Sequence, residues 1–127
     1  MVAHQVQGRI FHATIPSVQL ASELMASGAP ADIAAATAIF RAVLGCQEVR
    51  DTDPHRGNFR WELEDEVVED LNAVQFVLFY CIPVLCKTPD ALPPDLVAAM
   101  RRAIALGLEE IARIDVAPAY TNIVLKD

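Results

Sequence analysis

Apolar residues recur along this chain at helical spacing, and the breaks between them fall at proline and glycine. The first fifteen positions instead alternate loosely, as in Arg9-Ile10-Phe11-His12-Ala13-Thr14-Ile15, which predicts a short extended lead-in. Thr14 and Ser17 flank Pro16, and the run Val18 to Met25 ends in Ser27-Gly28; these are start and stop signals of a first helix. A second helix opens at Pro30 and closes at Gly45, with Ile33, Ala36, Phe40, Val43 and Leu44 as its buried stripe. From Cys46 to Arg60 the chain is polar, and Asp51 to Asn58 reads as a surface loop rich in turn formers.

A third helix is predicted from about Glu66 to Cys86. Its Ala73–Cys86 portion is apolar except for Gln75. That run is too short to span a bilayer, so the pattern predicts a buried helix covered on all sides, with Pro83 kinking or tightening its last turn. Leu92-Pro93-Pro94-Asp95 opens a fourth helix, expected to reach Ile114. Leu96, Met100, Ala103, Ile104, Gly107, Leu108, Ile111 and Ile114 fall on one side of it, and Arg101, Arg102, Glu109, Glu110 and Arg113 on the other. Glu109 and Arg113 are spaced as an i,i+4 ion pair. Tyr120-Thr121-Asn122-Ile123-Val124-Leu125 reads as the beginning of another inner helix, and its Asn122-Ile123-Val124 echoes Asn72-Ala73-Val74.

An apolar helix followed by an amphipathic one suggests inner helices wrapped by outer ones. The expected fold class is therefore all-α, a layered array of helical hairpins behind a short extended lead-in. Residues 1–127 form one domain, either a fragment of a longer array or a unit completed by a partner chain or a second copy; an ordinary four-helix domain with a C-terminal tail is the alternative.

Composition narrows the partners. A 54% hydrophobic content calls for a packed core. The formal charge of −7, with acids concentrated between Glu62 and Asp70, argues against nucleic acid and anionic membrane surfaces, which need a basic stripe. The N-terminal residues lack the charged and apolar regions of a signal peptide, which makes the cytoplasm the default location. Cys46, Cys81 and Cys86 are odd in number, and the last two are five apart on one helix, off a common face, so reduced thiols are expected. His4, His12 and His55 supply no metal-ligand spacing, and neither metal nor cofactor is called for.

Candidate chemistry gathers at the predicted inner-helix starts. If those helices run parallel, Asp70, Asn72, Tyr120 and Asn122 share a polar rim suited to a hydroxyl-rich ligand such as an oligosaccharide. Taken singly, Asp70 or Asn72 reads first as the cap of the third helix, and Thr121 or Asn122 as that of the fifth. Trp61 beside Phe59 offers a stacking platform for a sugar ring, or else a loop anchor on the core. Glu62, Glu64, Asp65, Glu66, Glu69 and Asp70 supply carboxylates for glycoside hydrolysis, though an acidic helix start is favoured by the helix dipole alone. Tyr120 with His55 or Arg60 is the corresponding lyase set.

Gly57-Asn58-Phe59-Arg60-Trp61, Asp70-Leu71-Asn72-Ala73 with Phe76, and Tyr120-Thr121-Asn122-Ile123 together resemble segments of large bacterial α/α-toroid proteins. That fold is shared by six-hairpin glycosidases and by the helical domains of heparinase-like and alginate-lyase-like polysaccharide lyases. The resemblance implies a carbohydrate substrate and a site at the inner-helix ends. Against it, a non-catalytic helical interaction module completed by a partner or second copy is the alternative reading, and a bundle that takes an apolar small molecule is a third.

Overall fold

The computed structural model describes residues 1–114 of the chain. Strands β1 (Val2–Val6) and β2 (Arg9–Ala13) form an antiparallel hairpin, followed by helices α1 (Thr14–Ser27), α2 (Pro30–Leu44), α3 (Ala73–Lys87) and α4 (Pro94–Ile111), with a 3-10 turn at Pro89–Ala91. The all-α expectation is corrected at the N-terminus: the lead-in is extended, but it folds back on itself. Its turn is Gln7-Gly8, both at positive φ (49° and 80°), the backbone hand that matches the twist of two adjoining strands. The register sets His4 opposite Phe11 and Ala3 opposite His12.

Helix α1 begins at Thr14, and its C-terminal Gly28 takes the left-handed conformation expected of a stop glycine. Helix α2 follows across Ala29 and packs on α1; its Ala36, Phe40 and Val43 are buried as the stripe predicts. Helix α3 lies against both α1 and α4, and the core is built from Val18, Ala21 and Met25 of α1, Phe40 and Val43 of α2, Val74, Val77, Leu78 and Cys81 of α3, and Leu96 and Met100 of α4.

Several expectations about the second half change. Helix α3 starts at Ala73, seven residues later than predicted, because Asp70 draws Asn72 into a turn: both the backbone N–H (2.8 Å) and the Nδ2 (2.9 Å) of Asn72 donate to Asp70 Oδ1. The acidic residues from Glu62 to Asp70 therefore lie in loop, and the first turn of α3 carries no acid. Nor do the other described residues cover α3 on all sides. Phe79 (51% exposed), Ile82 (38%), Pro83 and Cys86 form an outward stripe at i, i+3, i+4 and i+7.

Helix α4 ends at Ile111, and its buried line is Leu96, Met100, Ala103, Gly107 and Glu110. Leu108, placed inside by the sequence pattern, is 49% exposed, while Glu110, placed outside, is fully buried. The reason is contact geometry. At Gly107 α4 packs tightly on α3: a Cβ there would lie 2.9 Å from Leu78 Cδ1 and 3.0 Å from Val74 Cγ2. Glu110, one turn on from Gly107, is carried into the same interface, and Leu108 is turned away from it. The expected Glu109–Arg113 pair is replaced: Arg113 Nη2 reaches Glu110 Oε2 at 2.8 Å, and Glu109 faces Arg56 at 3.7 Å.

The polar segment between α2 and α3 is not simply a surface loop. Cys46, Gln47, Glu48, Gly57, Asn58 and Phe59 are buried, and Gln47 bridges Phe59 across its neck. Gln47 Nε2 donates to the carbonyls of Gly57 and Ala103, both at 2.9 Å, which ties the neck to α4. Gly57 has φ 103°, and a Cβ on it would stand 2.3 Å from the Leu106 carbonyl oxygen, so both conformation and space require glycine.

Gly57→Ala should destabilise the fold by about 3 kcal/mol, combining left-handed strain with overpacking against α4. Gly28→Ala is the control, since it shares the positive φ but has no atom within 4 Å of the added methyl; its loss should be about 1 kcal/mol. Urea unfolding of the two variants checks the difference, and equal losses would show that the approach to Leu106 is immaterial.

Candidate functional site

Of the residues singled out in sequence, Trp61, Asp70 and Asn72 come to the start of α3, and Tyr120 and Asn122 lie outside the described residues, as does the predicted fifth helix. Trp61 is half-buried with its ring edge-on to Phe76, one turn into α3, at a centroid distance of 6.3 Å. Its carbonyl accepts the Thr14 N–H at 2.9 Å, which joins this loop to the start of α1. Asp70 and Asn72 are half-exposed and bound to each other, as described above.

The cap of α3 comes from elsewhere. Asn58, fully buried, accepts the Val74 N–H at 3.1 Å and the Phe59 N–H at 2.8 Å through its Oδ1, and donates through Nδ2 to the Leu71 carbonyl (3.0 Å) and to Glu110 Oε1 (3.4 Å). One carboxamide thus closes the chain on both sides of the helix start. Its position sixteen residues upstream of Val74 kept it out of reach of any local capping pattern in the sequence.

Glu110 sits at the centre of a polar cluster. Besides Asn58 it meets Arg113, and His55 Nδ1 lies 3.7 Å from its Oε1. Arg113 also donates to the Arg56 carbonyl. Arg60 is engaged along its guanidinium, donating to the carbonyls of Gly45 (2.8 Å) and Asp65 (3.0 Å). Both His55 and Arg60 of the lyase set thus face groups of the clamp around the 46–60 segment.

The acidic stretch is divided by the hairpin. Glu62 meets His4 Nε2 at 3.2 Å and Glu64 meets His12 Nδ1 at 2.6 Å. His4 and His12 occupy adjacent register positions, so the two pairs form on opposite faces of the hairpin. Their electrostatics diverge as well. Burial pushes the Glu62 carboxyl up against a smaller opposing pull from His4, whereas the hydrogen bond from His12 holds that of Glu64 down. Among the described residues no three His, Cys, Asp or Glu side chains gather as a metal-binding group, and the three cysteines are unbridged, with Cys46 and Cys81 buried and Cys86 exposed.

A second feature was marked in the sequence only by Gln75, the single polar break in the apolar run. An apolar groove of ≈ 270 Å³ runs between α3 and α4, lined by Leu78, Phe79, Ile82, Pro83, Leu108 and Ile111, with Gln75 at its edge. Gln75 is 2% exposed, yet neither its Nε2 nor its Oε1 finds a hydrogen-bond partner among the described residues. A buried carboxamide left unpaired costs on the order of 1–3 kcal/mol.

No protein-family model, curated protein or solved structure matches the chain. No helix among the described residues is long and apolar enough to cross a membrane.

Electrostatics at the neck of the 46–60 segment is testable. Arg50 pulls the Glu48 carboxyl down from an ordinary 4.5 to about 2. A depressed carboxylate contributes stability that is whole above its unfolded value and is lost as pH falls through the folded one. The urea midpoint of the parent should therefore exceed that of Glu48→Gln at neutral pH, with the gap closing between pH 4.5 and about 2. A gap that does not change across that window would remove the ion pair from the stability of the neck.

Proposed function

We propose that this protein is a non-catalytic helical interaction module whose docking surface is the apolar face shared by α3 and α4. One observation carries this reading: Phe79, Ile82 and Leu108 are half-exposed around a groove whose buried edge holds an unpaired carboxamide. Scattered single apolar residues on a surface need no explanation, but a contiguous apolar stripe beside an unsatisfied buried amide is the kind of surface that marks an interaction site. The ligand this suits is a polypeptide segment with aliphatic or aromatic anchors, which supplies both apolar side chains and main-chain hydrogen-bonding groups.

The test is titration of the full chain with uncharged, Leu- and Tyr-bearing peptides, followed by amide chemical shifts. Binding should move resonances of Gln75, Phe79, Ile82 and Leu108, and Leu108→Lys should weaken it about tenfold, the equivalent of roughly 1.4 kcal/mol. Shifts confined to other faces of the protein would overturn the assignment.

A carbohydrate-active α/α-toroid part, glycoside hydrolase-like or lyase-like, is the second reading. It is supported by Trp61 against Phe76 in the first turns of α3 and by Asp70 bound to Asn72 just before that helix, and it rests on the sequence resemblance for its larger architecture and for the roles of Tyr120 and Asn122. Oligosaccharide titration should then quench Trp61 fluorescence, with the response lost in Asn72→Ala. Silence of Trp61 across neutral and uronate-containing oligosaccharides would exclude it.

A further inference from the structure

We propose that the cleft between the end of α2, the neck of the 46–60 segment and α4 binds a small amphipathic carboxylate, at a site separate from the α3–α4 face. The cleft measures ≈ 450 Å³, within the ~300–1,000 Å³ range of small-molecule sites. Leu44, Val49 and Leu106 give it apolar walls, and Ala99 and Ala103 of α4 are too short to fill the space between them. Helix α4 lends Leu108 and Ile111 to the groove and Ala99, Arg102 and Leu106 to the cleft, so the two sites share no side chain.

The charges lining the cleft call for an anion. Glu109 faces Arg56 at 3.7 Å, and Arg56 Nε also stands 2.9 Å from an Asp51 carboxylate that is exposed. Arg56 is thereby balanced. Arg102, which also lines the cleft, has no ion pair or hydrogen bond among the described residues, so one positive charge is left uncompensated there although the whole chain carries −7. A carboxylate can take two parallel hydrogen bonds from such a guanidinium, and they strengthen as an apolar ligand body displaces water from the walls.

Gln47 supplies a second polar group to the same cleft, at 9% exposure. Its Nε2 is committed to the carbonyls of Gly57 and Ala103, while its Oε1 accepts no hydrogen bond among the described residues and can take one from a ligand O–H or N–H. An apolar cleft with a cation at one point and an acceptor at another selects an amphipathic acid over other small molecules. A hydrocarbon would leave Arg102 and Gln47 unused, and inorganic phosphate would leave the apolar walls unused.

The test is titration of the full, isotope-labelled chain with 3-(4-hydroxyphenyl)propionate, followed by amide chemical shifts. Saturable shifts at Leu44, Val49, Arg102 and Leu106 are expected, with a Kd on the order of millimolar or tighter. Arg102→Gln, at an exposed position without a described partner, should weaken binding about tenfold, whereas Arg101→Gln, an adjacent arginine outside the cleft, should leave it unchanged. Ala99→Leu, at a half-buried position, should block the cleft and abolish the shifts. The proposal is overturned by the absence of saturable shifts, by equal binding of the neutral amide of the same acid, or by equal losses in the two arginine variants. Shifts confined to Gln75, Ile82 and Leu108 would also overturn it, by placing the acid in the groove, and none of these outcomes bears on peptide docking there.

Discussion

The buried carboxamide of Asn58 is the interaction on which the second half of this fold depends. Through four hydrogen bonds it fixes where α3 begins, holds the Leu71 carbonyl and turns the chain at Phe59, and it also touches Glu110 of α4. In an apolar interior each of these groups would be costly if left alone, so the side chain that satisfies several at once constrains several elements at once. Asn58 is therefore a positional requirement of the α3–α4 pair rather than an ornament of a loop.

The same logic explains the neighbouring residues. Gly57 allows the loop to touch the α4 backbone at Leu106, Gln47 fastens its neck to Ala103, and Arg113 and His55 surround the carboxylate that α4 buries. A segment composed of turn formers thus acts as a polar clamp between helices. The first helical pair, α1 and α2, joins through interlocked apolar residues and a two-residue connection that Ser27 ties by donating to Asp32 and accepting the Ala29 N–H.

Once α3 and α4 are set in this way, their outer faces are set too. Tight packing at Gly107 carries Glu110 inward and turns Leu108 outward, beside Phe79 and Ile82. The apolar groove is the other side of the packing that buries Glu110. The residues first attractive as a carbohydrate rim, Trp61, Asp70 and Asn72, meanwhile have structural tasks at the helix start: a ring edge on Phe76 and a turn that delays the helix.

Local sequence determined helices α1 and α2 closely, because their signals are local: Pro30 at a first helical position, Gly28 in a left-handed stop, and an apolar stripe with a clean period. It also marked Gln75 as the odd polar residue in an apolar run. The hairpin was legible only as extension, since its strands are mostly exposed and show little alternation. The start of α3, the inward turn of Glu110 and the outward turn of Leu108 were decided by tertiary structure alone. A cap sixteen residues upstream and a glycine contact between two helices are relations between distant positions, and no periodicity within one helix encodes them.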